Sequence, residues 1–189
     1  MKALRRNFLE ALPGQDVARF KFGDETSVHL PYTRRDGRAP GGQRVNQPVS
    51  LRSGPNGPVI AALTTQGVEA VMERDGAVNA ASFAVYLDHV LGPTLVPGDV
   101  VVPRGTLRVH KAPGLAELVE KRGARLLFLP PYSPDFTPVE WAFSKLNPFR
   151  RTAQAPTRQA LTDAVRAALD WIGQDDAQNW FHHCGSHVH

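Results

Sequence analysis

The order of short apolar segments in the sequence predicts a mixed α/β sheet with helices on its faces. Segments rich in β-branched and aromatic residues dominate the first part of the chain and are typical of antiparallel strands. Beyond them, helical and strand-like segments follow one another. The 189 residues suffice for one domain with a hydrophobic core, and 16 Gly and 16 Pro indicate many defined turns rather than disorder.

The first part of the chain is predicted to form strands. Val17–Phe22 mixes β-branched and aromatic residues and leads into Asp24. Ser27–Thr33 is a second candidate, and residues 44–51 are a weaker one. Pro58–Thr64 and Gly67–Glu73 are expected to pair as a hairpin around Thr65 and Gln66.

Helices and buried strands are expected to alternate from Asn79 onward. Asn79 is a suitable N-cap for the first helix, and Gly92-Pro93 a suitable stop. The later segments are a strand, a helix, a strand, a helix that ends at Asn147-Pro148, and a last helix: Gly98–Pro103, Pro113–Gly123, Arg125–Pro130, Pro138–Leu146 and Thr157–Ile172.

Charge and cysteine content narrow the class of protein. The net charge of +4 and pI of about 9.6 permit a nucleic-acid partner without requiring one. With Cys184 as the single cysteine, no intrachain disulfide is possible and a reducing compartment is expected. The sequence has neither an apolar segment of membrane-spanning length nor a signal-peptide core, so a cytoplasmic protein without a membrane partner is predicted.

Residues 129–146, LPPYSPDFTPVEWAFSKL, contain two candidate carboxylates in a proline-rich segment. Thr137, Pro138 and Glu140 match the preferences for the N-cap, first and third positions of a helix. From these residues alone, Glu140 is more simply explained as a capping residue. Asp135 is more simply explained as part of a Ser-Pro-Asp turn.

The same segment resembles the signature of the DDE transposases of bacterial insertion sequences, in the branch related to the mariner elements. Residues 22–44, FGDETSVHLPYTRRDGRAPGGQR, resemble the segment that holds the first aspartate of that family, and the likeness runs from about Arg19 to Gly185. The resemblance implies an RNase H-like fold and two-metal cleavage and strand transfer of DNA with Mg²⁺ or Mn²⁺. It makes Asp24 the first and Glu140 the third catalytic and metal-binding carboxylate. Glu25, which alternates to the other strand face, is a poorer ligand.

The second carboxylate of the family pattern is absent. Residues 99–113 read DVVVPRGTLRVHKAP, in which His110 and Lys111 match the pattern but the expected Asp falls on Gly105, between Arg104 and Thr106. Asp99 cannot replace it, because six strand residues place it about 20 Å away. We therefore expect a transposase catalytic domain that is impaired in catalysis. The alternatives are an inactive DNA-binding or regulatory module with the same fold and, less favoured, an unrelated metal-dependent nuclease.

Basic residues are the candidate DNA contacts. The loop containing Arg34, Arg35, Arg38 and Arg44, together with Lys111, is expected to meet DNA phosphates, although a solvated loop would also explain it. The roughly 20 residues before Asp24 are too few for a helix-turn-helix domain. Recognition of transposon ends and target DNA is therefore expected to need a separate helix-turn-helix polypeptide or a homodimer in the bacterial nucleoid.

Two regions complete the predicted organisation. Residues 1–150 are expected to form the RNase H-like catalytic-type domain, and residues 151–189 a C-terminal helix and His-rich tail packed on it. The histidines and cysteine of FHHCGSHVH are spaced too irregularly to favour a zinc site, so this segment is interpreted as the C-terminal part of the family pattern.

Overall fold

The computed structural model describes residues 16–28, 38–46, 57–103, 112–130, 133–153 and 158–184. Five strands form one mixed sheet in the order β3-β2-β1-β4-β5. Antiparallel pairing joins β1 to β2 and β2 to β3, whereas β4 runs parallel to both β1 and β5. The strands are β1 (Phe20–Val28), β2 (Gly57–Thr64), β3 (Gly67–Glu73), β4 (Val100–Pro103) and β5 (Arg125–Leu126). The predicted mixed sheet is confirmed.

The β2–β3 hairpin lies where the sequence predicts it. The Thr64 hydroxyl accepts a hydrogen bond from the Gln66 N–H at 3.2 Å and donates one to the Gly67 carbonyl at 3.1 Å. Gly67 has a φ of 127° and its Cα approaches the Ile172 carbonyl so closely that a Cβ would lie 2.9 Å from it. Only glycine fits this turn without strain.

Helices cover both sides of the sheet. They are α1 (Ala80–Val85, continued by a π-helical turn over Tyr86–Leu91), α2 (Leu115–Glu120), α3 (Val139–Ala153), α4 (Arg158–Asp170) and α5 (Gln174–His183). The predicted N-cap at Asn79 is confirmed, because Asn79 Oδ1 accepts the Ser82 N–H and Ser82 Oγ accepts the Asn79 N–H, each at 2.9 Å. No helix in the described part of the chain is both long and apolar enough to cross a membrane.

Alternation along the strands gives the sheet two buried faces. Phe20, Phe22 and Val102 point toward α3, α4 and α5, on what we call the α3–α5 face. Ala62 and Val101 point the other way, toward α1 and α2, on the α1/α2 face. The hydrophobic core is therefore split into two clusters with the sheet between them.

Three predicted boundaries are wrong. The first strand continues past Asp24 to Val28, since pairing with β2 extends through that residue, so Asp24 lies within a strand rather than at its end. Only Arg125–Leu126 of the predicted 125–130 strand is paired as a strand. Helix α3 does not end at Asn147-Pro148 but continues to Ala153. A proline disfavours helix through a missing N–H and a clash, and the packing of α3 against α4 and the sheet offsets that penalty.

The remaining differences concern the segment after Asp24 and the C-terminal helix α5. Ser27 and Val28 belong to β1 rather than to a separate strand, and the rest of that predicted strand lies outside the described residues. Arg44, Val45 and Asn46 are not in a strand, and residues 47–51 lie outside the described ranges. Helix α5 was not predicted, because its first turns, with the sequence Gln-Asp-Asp-Ala-Gln-Asn, carry little apolar periodicity.

Candidate active site at the start of helix α3

Asp24 lies on the α3–α5 face of the sheet. It follows Phe20 and Phe22 at alternate positions of β1, and it pairs across the sheet with Ala61, which belongs to the same core cluster. Only 5% of Asp24 is exposed. Its Oδ1 accepts the Glu25 N–H at 2.7 Å. Glu25, one residue on, alternates to the opposite face, as predicted.

Glu140 is the second residue of α3 and is partly buried. Its neighbours Val139 and Ala142 pack in the same core cluster as Phe22, and α3 contacts β1 directly. The first turn of α3 therefore lies on the side of the sheet that carries Asp24. The structure thus brings both predicted carboxylates to one face, while their role as metal ligands stays a prediction.

The predicted capping of α3 by Thr137 is wrong. Helix α3 begins at Val139, and the Trp141 N–H binds the Pro138 carbonyl at 3.1 Å, so Pro138 rather than Thr137 precedes the first helical residue. Thr137 is 1% exposed, and its hydroxyl has no hydrogen-bond partner within the described residues. The predicted turn at Asp135 is present as a short 3₁₀ segment, Pro134–Phe136.

Strand β4 leads toward the position of the missing aspartate. Pro103, its last residue, pairs with Gly23, the residue before Asp24. The chain therefore leaves β4 beside the candidate carboxylate. Arg104, Gly105, His110 and Lys111 themselves lie outside the described residues. Residue 105 is a glycine and therefore supplies no carboxylate.

Asp99 has a different environment at the far end of the same strand. It is 3% exposed, and its Oδ2 accepts the Val96 N–H at 3.0 Å. Lys21 Nζ lies 3.8 Å from Oδ2 and Arg19 Nη1 lies 3.7 Å from Oδ1. This carboxylate is engaged in ion pairs at the opposite end of β4, which agrees with its exclusion from the predicted site.

The oxygen donors at the site suit Mg²⁺ or Mn²⁺ in type, but there are fewer of them than the three carboxylates of the family pattern. Carboxylates are the ligands that Mg²⁺ prefers, and it is often held by one or two of them together with water. Asp24 and Glu140 supply two. Within the described ranges, no three Asp, Glu, His or Cys side chains are grouped so that they could hold a metal ion. The three-carboxylate set implied by the family pattern is therefore not formed by these residues.

The candidate DNA-binding loop is described only in part. Arg38 and Arg44 are exposed in the segment 38–46, where the Gln43 N–H bonds to the Pro40 carbonyl at 3.0 Å and closes a turn. Arg34, Arg35 and Lys111 lie outside the described residues. The side chains of Arg38 and Arg44 are thus exposed, and a phosphate backbone could reach them.

The end of α5 packs beside the first turn of α3, a contact that the sequence did not predict. Trp141 lies beside the Cys184 thiol, and the Trp141 and His183 rings meet edge to face with centroids 5.1 Å apart. Burial raises the pKa of Cys184 to about 11, and the Asp135 carboxylate acts in the same direction. The Cys184 thiol beside the indole is therefore neutral and unreactive.

The comparison with protein families settles the relationship of the chain. A model of the DDE superfamily endonuclease family matches residues 19–162. The chain belongs to this family. The match contains β1 with Asp24, β4, and the start of α3 with Glu140. A search of curated protein sequences gave no significant match.

Solved structures of the Mos1 transposase share the fold. The paired-end complex with the left transposon end aligns with a TM-score of 0.77 at 15% identity, over 96% of this chain and 56% of that one. A pre-cleavage transpososome aligns with a TM-score of 0.76 at 15% identity, over 99% and 60%. The Mos1 mariner catalytic domain alone aligns at 0.70 and 14% identity, over 99% and 89%. The fold is therefore RNase H-like, as the resemblance implied, and this DDE family member spans about 60% of the transposase chain in the transpososome.

Proposed function

We propose that the chain is the catalytic domain of a bacterial insertion-sequence transposase whose cleavage and strand-transfer chemistry on DNA is impaired. The proposal rests chiefly on one observation: Asp24 and the first turn of α3 with Glu140 share one face of the sheet in a member of the DDE endonuclease family. The fold likeness to a transposase solved with transposon ends supports DNA as the substrate.

Asp24 and Glu140 are the residues proposed to hold a divalent cation. Related Mos1 complexes are described with Mn and with Mg, which supports the same choice here. The bound ion would supply Lewis-acid activation of a phosphodiester. The chain's own contribution is to hold two carboxylates at a partly water-excluded margin of the core, one on a strand and one on a helix.

The impairment follows from the residues at 104 and 105. Glycine in place of aspartate removes one negative charge from the ligand set, and an adjacent arginine adds a positive one. Both changes oppose the binding of a divalent cation, because affinity in oxygen-ligand sites depends on the number of charged ligands. This same observation favours the second candidate function, an inactive DNA-binding or regulatory module.

The partners proposed for this domain are DNA and a second polypeptide. Arg34, Arg35, Arg38, Arg44 and Lys111 are proposed to contact phosphates, which would give affinity without sequence information. End recognition is assigned to a helix-turn-helix polypeptide or to a second copy of the chain, and the site of action to the bacterial nucleoid.

Restoring the carboxylate tests the proposal directly. We expect Gly105→Asp to bind Mn²⁺ roughly tenfold more tightly than the original protein in calorimetry, because ligand charge sets affinity. The same variant should gain metal-dependent nicking of supercoiled DNA. Gly105→Asn, similar in size but uncharged, is the matched control and should gain neither.

Two results would contradict parts of this proposal. Robust Mg²⁺-dependent nicking by the unaltered protein, abolished in Asp24→Ala, would show that catalysis is intact. Mn²⁺ binding by Gly105→Asp that is unchanged by Asp24→Asn and by Glu140→Gln would show that these carboxylates are not the ligands. If Gly105→Asp neither binds metal nor nicks, while the original protein binds DNA, the inactive module is favoured.

A further inference from the structure

Trp141 is an exposed aromatic residue with a fixed orientation. It is 46% exposed, although Val139, Ala142 and Phe143 around it in the same helix are buried. The ring is held by His183, which meets it edge to face at an interplanar angle of 84°, and it lies beside the Cys184 thiol. An edge-to-face contact occupies at most one face of the indole. The other face is therefore available to a planar partner.

The position of Trp141 places the ring beside the candidate carboxylate. Glu140 and Trp141 are consecutive residues of α3, and consecutive helix positions are about 100° apart around the axis. Their side chains thus leave from neighbouring sides of one helical turn. A strand whose phosphate lies at Glu140 has its adjoining nucleotide within reach of the indole.

We propose that Trp141 is a stacking platform for an unpaired DNA base next to the scissile phosphate. This inference rests on the proposed function, because DNA at Glu140 is what brings a base to the ring. Bases within a duplex are already stacked, so only a base freed at a nick, a flank or a strand end can use the platform. Stacking on an aromatic side chain tolerates any base.

Charge and held geometry favour DNA over a protein as the occupant. The chain has a net charge of +4, which favours a polyanion such as DNA. A protein-binding patch would need further exposed apolar side chains beside Trp141. In the described part of the chain the other exposed large apolar residues are Val45, Val85, Val96 and Trp171. Of these, Trp171 contacts α3, since its carbonyl accepts a hydrogen bond from Lys145. Two tryptophans are fewer than the roughly 20 to 30 residues a side of a standard protein interface.

Oligonucleotide binding without divalent metal tests the platform. The probes are a fully paired duplex and the same duplex with a short single-stranded flank that contains 2-aminopurine. We expect the original protein to prefer the flanked probe by about tenfold and to quench its fluorescence, in line with the usual strength of base stacking on aromatic residues. Trp141→Ala should lose the preference and the quenching while still binding the paired duplex.

The matched control is Trp171→Ala. Trp171 is 65% exposed and lies just after α4, and its carbonyl accepts a hydrogen bond from Lys145 of α3 at 3.1 Å. It is therefore a second exposed tryptophan beside the same helix, but it does not adjoin Glu140 in sequence, so its removal should leave the preference intact. Trp141→Lys is a second test that avoids shortening the side chain. It should strengthen binding to both probes and still abolish the preference.

Each other outcome overturns the proposal in a distinguishable way. Equal flank preference in Trp141→Ala and the original protein removes the platform but leaves the proposed function standing. Equal losses for both probes assign Trp141 to general DNA contact. A shift from dimer to monomer in sedimentation on Trp141→Ala, with DNA binding unchanged, assigns the ring to a contact between copies. Absence of DNA binding by the original protein overturns the proposed function and the platform together.

Discussion

The two faces of the sheet differ in the surroundings of their buried charged side chains. On the α1/α2 face, Lys21 binds Glu69 and also lies 3.8 Å from Asp99, so the buried charges there are neutralised within the protein. On the α3–α5 face, the core is apolar. Asp24 of β1 lies on this face, and Glu140 lies in the first turn of α3, next to the exposed Trp141. Strand β1 supplies Lys21 to one face and Asp24 to the other. One strand therefore serves stability and the candidate site at once, and substitutions should separate the two roles.

A second difference is that side-chain hydrogen bonds from Arg122 link the helical segments on the α1/α2 face. Arg122 donates hydrogen bonds to the Asp88 carbonyl at 2.7 Å, to Asp88 Oδ1 at 2.8 Å and to the Leu118 carbonyl at 2.7 Å. These bonds join α2 to the π-helical turn after α1. Substitutions on this face should therefore lower the free energy of unfolding and change the affinity for metal or DNA little.

Lys21→Met is expected to have the largest effect on stability. It removes the cation that binds Glu69 and leaves the buried Asp99 with the half-exposed Arg19 as its cation. Breaking one partner of a buried ion pair costs about 3 kcal/mol of unfolding free energy. Urea denaturation measures this loss. Lys121→Met is the matched control, because Lys121 contacts Asp88 at 2.7 Å but is 49% exposed. That exposed pair should contribute far less to stability than the buried one, because water screens it.

The comparison of the faces fails if Lys21→Met behaves differently. A variant that unfolds at the original urea concentration but binds DNA or Mn²⁺ less well would place Lys21 in the functional site. Because Lys21 points away from α3, we expect the reverse: lowered stability with unchanged DNA affinity below the unfolding transition.

Local patterns explain which parts of the fold were predictable. The β2–β3 hairpin and the cap at Asn79 depend on residues within three positions of each other, and both were predicted correctly. The pair Lys21–Glu69 joins residues 48 positions apart, and no local pattern contains it. Likewise the continuation of α3 through Pro148 depends on tertiary packing that overrides a local stop signal.

The candidate site was predictable for a different reason. The side chains of Asp24 and Glu140 are separated by most of the sequence, and their placement came from the resemblance to a family. The local pattern at Glu140 alone favoured a helix cap, and that at Asp24 showed only that it follows a predicted strand. The Trp141–Cys184 contact was missed because it depends on α5, whose polar first turns hide its helical character. The exposed position of a tryptophan among buried helix neighbours was the available signal.

Gly92→Ala should destabilise the α1/α2 face by a smaller amount. A Cβ at Gly92 would lie 2.6 Å from the Arg122 guanidinium carbon, so the side chain would have to move and weaken its hydrogen bonds. We expect a loss of about 1–2 kcal/mol in urea denaturation. Gly41→Ala, where a Cβ meets nothing within 4 Å, is the matched control and should change stability little.

A double-mutant cycle sharpens this prediction. If Arg122 is the cause, then Gly92→Ala should cost almost nothing in an Arg122→Ala background, because the group that it displaces is gone. A full penalty in that background would mean that the backbone at Gly92, rather than the guanidinium, fastens this face.

The smallest expected effect is an acid-dependent one at Asp88. Hydrogen bonds from Lys121 and then Arg122 lower the pKa of Asp88 to about 2. The unfolded-state pKa is about 3.9, so the contribution of this carboxylate to stability is complete above that pH and is lost as the pH falls toward 2. Asp88→Asn retains an oxygen acceptor but cannot ionise. In urea denaturation from pH 6 to pH 2.5, the stability difference between the original protein and Asp88→Asn should therefore shrink below about pH 4. A difference that stays constant over this range would mean that Asp88 fastens the π-helical turn only through its backbone carbonyl, which Arg122 also binds at 2.7 Å.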